Sequence, residues 1–463
     1  MNDCCHWFPG YRVVISKEGG RQMFVIFEKL RSFAQISIFI ITLFLSSIVF
    51  SADSPVTVEA PLQSWKHEFG FEERLRYEYL QDFDYNESVK DNGSLFFQRL
   101  RLNEKLSWVG GDQNKILDIF VEGLDAQTGG HQIKATATQV DDFDLHQAYV
   151  QVHHLLGSPV ELKVGRMELK YGKGRLIAQP SWSNRVRAFD AAVVHYEKDS
   201  WFGDVFYGQD VKYDDNNFNR SLDEEYIAGI YGGYQKDKKG ILWEGYFLTQ
   251  TVLTTSTPTK RFTVGSRLQG KAFDEIEWEV EVPYQFGEIG TKNIRAYAIS
   301  ATAAYPFSSV KMKPKVFMEY NQASGDQDPN DSVSNTFNPL YQTTHDPYGI
   351  LDFFRWQNMR EVAVGVKVSP LEKFTLTPQM NFFWLESKFD SWYNSSGTAL
   401  RSKTSGERGH YIGQELSLRG FYEINKNVKL EMGYAHFFPG GYVRDSGADD
   451  GTDWFYTQIV IKK

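Results

Sequence analysis

Arg74 and Arg76 stand between Glu72 and Glu78 at two-residue intervals, and Arg99, Arg101 and Lys105 share one parity further along the chain. A guanidinium grips a carboxylate through a planar fork and stays charged at any relevant pH. A row of such groups is chemistry for binding and passing anions, not for breaking bonds. A second row, Glu277, Glu279 and Glu281, carries the opposite sign. It reads as a structural ladder, or as a source of cation conductance that would oppose strict anion selectivity. Catalytic spacing is missing. The histidines at 131, 146, 153, 154, 195, 345, 410 and 436 are scattered, without a HExxH or GxSxG motif. No enzyme activity is expected. The acidic run Asp445–Asp453 lacks EF-hand spacing and its bidentate glutamate, so it reads as a solvated loop. No metal and no cofactor are expected.

The elements that carry these rows must be strands. Phe69, Phe71, Leu75, Tyr77 and Tyr79 share one parity, and Glu72, Arg74, Arg76 and Glu78 the other. Between 96 and 108, Phe96, Leu100, Leu102, Leu106 and Trp108 share a face on which Gln98 and Glu104 are exceptions. A period of two puts alternate side chains on opposite sides of a strand. Long strands with one apolar and one charged face suit a barrel with lipid outside and water inside. Eighteen alternating runs can be marked between 66 and 462, with sixteen strands as the alternative count. The fold class expected is all-β, a transmembrane antiparallel β-barrel. Tight turns are expected at 110–112, 236–240 and 425–427, on the short-turn, periplasmic side. The long polar segments 323–358 and 387–410 belong to the outer side, and 323–358 is the segment expected to fold into the lumen.

Composition agrees. Mean hydropathy is −0.43, too polar for a helical membrane protein, while aromatics reach 15%, enough for two interfacial girdles. A soluble or surface-attached carbohydrate-binding β-protein is the alternative of another class. Lys29 and Arg31 precede an apolar run from Phe33 to Phe50, then Ser51 and Ala52, which reads as a signal peptide over 23–52. Met23 is a natural start, so residues 1–22, with both cysteines Cys4 and Cys5, read as a misassigned extension. The barrel domain is then 53–463. The formal net charge is −9, and residues 1–52 hold five basic and three acidic residues, so the remainder carries −11. Such a chain is a poor nucleic-acid binder.

Several stretches together resemble the alginate-export family of bacterial outer-membrane barrels. They are Phe71–Tyr79 (FEERLRYEY), Phe97–Leu102 (FQRLRL), Val164–Ile177 (VGRMELKYGKGRLI), Trp182–Asp190 (WSNRVRAFD), Val264–Gly270 (VGSRLQG) and Tyr320–Asp326 (YNQASGD). The last leads into 336–358, with Phe337, His345, Gly349, Asp352 and Asn358 in the family's order. The chain departs from outer-membrane custom in ending on Lys462-Lys463, not on an aromatic residue. The resemblance implies an eighteen-strand monomer in the outer membrane whose arginine-lined constriction passes an anionic polyuronate. It assigns pore-lining roles to Arg166, Arg187 and Arg267. Arg74, Arg76, Arg99 and Arg101 take the same role on parity as well, and Arg175 and Arg185 stand second. Around Arg166 the parity is ambiguous, because Val160, Leu162 and Val164 share its face. The expected partners are an anionic polysaccharide or small anionic solute, outer-membrane lipid and periplasmic export machinery. A general porin for small anions or sugars is the alternative on the same fold.

Overall fold

Each of the eighteen alternating runs becomes one long strand, because alternation lets a strand present a greasy face to lipid while its ladder satisfies every backbone polar group. The structure is a computed structural model. It describes residues 63–463 apart from 84, 86–91, 111–113, 132–138, 215–216, 238–239, 254–256, 274, 344 and 402–408. The expected signal peptide 23–52, the extension 1–22 and residues 53–62 lie outside the described residues, as do parts of the turns at 110–112 and 236–240.

The strands in chain order are β1 (Gln63–Gln81), β2 (Gly93–Gly110), β3 (Lys115–His131), β4 (Asp141–Val152), β5 (Val160–Met167) and β6 (Phe189–Lys198). Then come β7 (Trp201–Lys212), β8 (Arg220–Gln235), β9 (Leu242–Val252), β10 (Thr259–Ala272), β11 (Ile276–Ile289) and β12 (Lys292–Pro306). The last six are β13 (Lys315–Ala323), β14 (Met359–Leu371), β15 (Phe374–Trp384), β16 (Tyr411–Asn425), β17 (Val428–Pro439) and β18 (Thr452–Lys462). Sequential neighbours pair antiparallel, and β18 returns to β1 in register from Glu72↔Lys462 to Gln81↔Asp453. Lys463 N donates to Phe71 O at 3.0 Å, so the seam stays paired to the last residue despite the lysine ending. Closure leaves no sheet edge. The count of eighteen stands, not sixteen.

The apolar face points outward. Tyr77, Tyr79, Phe96, Val264, Met318, Val364 and Phe455 are all exposed on it. Aromatic rings cluster beside the short turns, where Trp65 stacks on Trp108 at 5.7 Å and Trp201 meets Tyr234 at 4.8 Å. Another row, Phe247, Phe262 and Phe286, crosses three strands toward the long-loop end. The turn 426–427 is as tight as expected, linking β16 to β17 in two residues.

The lumen is not empty. Two long-loop segments, 168–188 and 324–358, fold into it. Phe337, Tyr341, Tyr348, Phe353, Phe354 and Trp356 of the second are all buried. They pack on wall aromatics, with Phe354 stacked on Phe383 and Phe353 edge-on to Phe437. The expectation that 323–358 turns inward matches this segment. The inward course of 168–188 is additional. The two meet as a short parallel ladder: Tyr341 N donates to Leu176 O at 2.8 Å and Ala178 N to Tyr341 O at 2.9 Å.

Candidate functional site

Backbone buried inside a barrel must find partners for its carbonyls. The turn 181–184 of the first inward segment finds them in the arginines of β1 and β2. Arg74 donates to Ser181 O (2.8 Å), Trp182 O (2.9 Å), Ser183 O (3.2 Å) and Asn184 Oδ1 (3.0 Å). Arg99 reaches Ser181 O and Ser183 O, and its other amino group meets Glu72 at 2.6 Å. Arg76 donates to Trp182 O at 2.7 Å, pairs with Glu78 at 2.7 Å, and lies between the rings of Phe97 (4.4 Å) and Trp182 (3.9 Å). On its other face Trp182 stacks on His345 at 4.0 Å, which joins the first inward segment to the second. All three arginines are on the lumenal side, as parity predicts, but they are only 2–4% exposed and committed to the loop. Five donors in a rigid fork suit that duty as well as they suit a passing carboxylate.

The other sequence candidates divide. Arg101 lies 2.7 Å from both Glu122 and Glu168. Arg267 pairs with Glu244 and, at 2.7 Å, with Glu279, while Arg175 meets Glu279 at 2.6 Å and Glu281 at 3.0 Å. The acidic row is therefore the counter-charge of two arginines. Its remaining member, Glu277, pairs with Lys315 and Lys271. Burial would lower the affinity of Arg175 for its proton, yet Glu281 and Glu279 outweigh it and raise that affinity. Arg185 lies over the ring of Tyr213 at 4.7 Å. Arg166 departs from the expected pore lining: it shares the face of Val164, which is 47% exposed, and forks onto Asp190 at 2.8 and 2.9 Å. The parity shared with Val160, Leu162 and Val164 was the sign that it points away from the lumen.

Arg187 is placed differently. Its carboxylate neighbour, Asp210, is at 3.8 Å, and it donates to Gln342 O at 3.5 Å. Near it are Arg261 and Arg355, neither with an ion pair among the described residues; Arg261 holds the side-chain oxygen of Gln250 at 2.6 Å. Burial, then the charges of Arg187 and Arg261, push Arg355 down to about 10. Three guanidiniums gather here against one paired carboxylate, Asp210. Arg261 and Arg355 were missed because a single arginine in an alternating run or an aromatic loop gives no spacing signal.

On the short-turn side of the inward segments is a cavity of about 1300 Å³. Its wall includes Lys170, Lys173, Lys271, Lys315 and Lys367, with Trp182 and His345 at its inner end. Lys170 and Lys367 are exposed to it and have no ion pair among the described residues. Glu277, Glu279, Glu319 and Glu431 line the same wall, so its sign is mixed. Lysines outside the arginine rows carried no signal of their own. As for metals, among the described residues the nearest approach to a donor set is Glu122, His146 and Glu168. Arg101 already bridges both carboxylates there, so that place is filled by a guanidinium.

A family model described as alginate export matches residues 65–457. Among solved structures, Acinetobacter baumannii OccAB1 superposes with a TM-score of 0.60 at 10% identity, covering 86% of this chain and 96% of that one. Pseudomonas aeruginosa OccK2 (OpdF) gives 0.57 at 8% identity, over 86% and 97%. Acinetobacter baumannii OccAB4 gives 0.55 at 14% identity, over 86% and 98%. At these identities the likeness is one of fold. No curated protein matches the chain.

Proposed function

Because the chain belongs to the alginate-export family and is an outer-membrane channel, we propose that it conducts an anionic polysaccharide, an alginate-like polyuronate, passively to the cell surface. The observation that carries this reading is the gathering of Arg187, Arg261 and Arg355, of which only Arg187 has a carboxylate partner, Asp210 at 3.8 Å, among the described residues. Like charges that repel one another gain most from a visiting anion, and a polyuronate offers one carboxylate per sugar. The lysines of the short-turn cavity would receive the chain first. Weak, wet contacts of about 0–1 kcal/mol each suit a polymer that must leave as well as enter. On this reading Arg74, Arg76 and Arg99 act on the cargo through the inward loop they hold. Arg101, Arg175 and Arg267 set the field of the wall together with their glutamates. Periplasmic export machinery would feed the polymer in.

A second reading is a porin for small anionic solutes or sugars, favoured by the two segments that fill the lumen and by the mixed charge of the cavity. The two separate in a planar bilayer. With mature protein under a KCl gradient, polyuronate transport predicts an anion-selective reversal potential and current block by oligouronate. Arg261→Gln with Arg355→Gln should weaken that block about tenfold. Block by monomeric uronate alone, or indifference to both, would replace the polymer with a small solute.

A further inference from the structure

Charged groups on the outer wall mostly close on one another: Arg166 forks onto Asp190, Arg360 meets Glu386 at 2.8 Å and His436 meets Asp453 at 2.9 Å. Two cations near the long-loop end of β10 to β12 do not. Lys260 and Arg295 are exposed and have no ion pair among the described residues. They share the outward parity of Val264 and Tyr297. Register sets both on one aromatic row. Lys260 is two residues beyond Phe262, Phe262 faces Phe286, and Phe286 faces Arg295. The Lys260 ammonium leans over the Phe262 ring, 5.5 Å from its centre. Tyr284 and Tyr297, both exposed, face one another on the next outward positions toward the membrane centre. The flanks are uncharged: Thr249 and Thr251 on β9, and Val333 and Ser334 alongside the start of β12. Glu288 is opposite Lys260, on the loop side of the row, and forms no ion pair among the described residues. Farther into the loops, Lys292 pairs with Asp326 at 3.7 Å, while Asp328 and Asp331 cap their own turns.

A girdle of rings marks the edge of the hydrocarbon, so a cation level with it or just beyond it stands at headgroup height. In the outer leaflet of an outer membrane the head groups there are phosphorylated sugars of glycolipid. Strand spacing and rise place the Cα atoms of Lys260 and Arg295 about 12 Å apart. Two long side chains close such a gap around one phosphate. The guanidinium takes two oxygens in its fork, and the ammonium meets a third as a point charge. The rings of Phe262, Phe286, Tyr284 and Tyr297 then offer the acyl chains an apolar wall directly below. Glu288 leaves the pair net positive, so the charge of the face suits an anion and not a neutral head group.

We propose that Lys260 and Arg295 form a binding site on the outer wall for the phosphate of an outer-leaflet glycolipid of the lipid A type. Native mass spectrometry of the mature barrel, released from mild detergent, tests it. The probes are phosphorylated lipid A, the same lipid stripped of phosphate, and inorganic phosphate. Wild-type protein should keep one phosphorylated lipid through detergent removal, at least fivefold more than the stripped form. Lys260→Gln with Arg295→Gln should lower that adduct at least fivefold. Arg360→Gln, whose side chain is already held by Glu386, should leave it unchanged. Heat-modified gel mobility checks that the variants fold, and the comparison of the two lipids on wild-type protein stands without them. Equal retention of both lipids, or an undiminished adduct in the folded double variant, would overturn the proposal. Displacement of the lipid by inorganic phosphate would overturn it too, and would assign the pair to a free anion.

Discussion

Arginine in this barrel does two jobs that look identical in the sequence. Arg74 and Arg99 satisfy carbonyls, and Arg175 and Arg267 neutralise glutamates. The second job makes Glu279 a double partner. Replacing it with glutamine leaves two buried guanidiniums short of charge. A cost on the order of 3 kcal/mol is expected for breaking a buried pair. Glu279→Gln should lower the thermal midpoint by circular dichroism in detergent and shift the reversal potential toward anions. Trp182 supports a stack between Arg76 and His345, and such cation–π contacts contribute about 0.5–2 kcal/mol. Trp182→Ala should raise single-channel conductance by loosening both inward segments. An unchanged conductance would mean the stack holds nothing in place. Asp346 adds a pH dependence. Its partial desolvation in the lumen would raise its carboxyl, though the side chain stays half exposed, but Arg419 at 2.8 Å, aided by His345, holds it below the ordinary value of 3.8. A depressed carboxyl stabilises the fold above its unfolded pKa and loses that contribution as pH falls through the folded one. The loop should therefore loosen below about pH 3.8, read as rising open probability, and Arg419→Gln should remove that acid response.

At the scale of elements, the inward segment 324–358 is pinned by backbone geometry as much as by packing. Gly349 has φ of +78°, and a Cβ there would lie 2.4 Å from Glu415 Oε2. That carboxylate accepts hydrogen bonds from Ile350 N at 2.6 Å and Leu351 N at 3.3 Å. Gly349→Ala combines a left-handed backbone with a clash, costing on the order of 1–3 kcal/mol. It should raise basal conductance while leaving barrel heat-modifiability intact. Strands such as β1 and β2 were legible because a period of two is a local property, and their inward arginines with it. The plug was legible only in part. A long aromatic loop, Phe337 to Trp356, declares that it must be buried, so its inward turn follows from the sequence. The ladder between 174–178 and 341–343 joins residues more than 160 positions apart, and no local pattern announces it. Arg166 is the opposite case: its run was greasy on the arginine's own face, a local sign against the lumen, and the register with Asp190 agrees with it.

At the scale of the whole molecule, the wall and the contents answer to different demands. The wall is closed by β1 and β18, and its outer face answers to lipid. Its charged inner face answers to the segments it holds. Eighteen strands with a continuous ladder should resist detergent and run faster unheated than boiled on a gel, a mobility shift absent from a soluble β-protein. A single mobility before and after boiling would remove the membrane assignment. The mixed sign of the cavity wall tells against a field of one polarity throughout the channel. Selectivity is expected to concentrate where Arg187, Arg261 and Arg355 meet.

The edge-to-edge pairing of Tyr341 with Leu176 and Ala178 also bears on how such channels diverge. Two stretches that complete one another's hydrogen bonds are expected to be inherited together. Grafting 324–358 from a relative while keeping the resident 168–188 would leave mismatched halves, whereas exchanging both together would keep their ladder in an unaltered casing. Natural variation in what these barrels transport is then expected to appear as coordinated replacement of the two inserts, with the staves conserved in number and order.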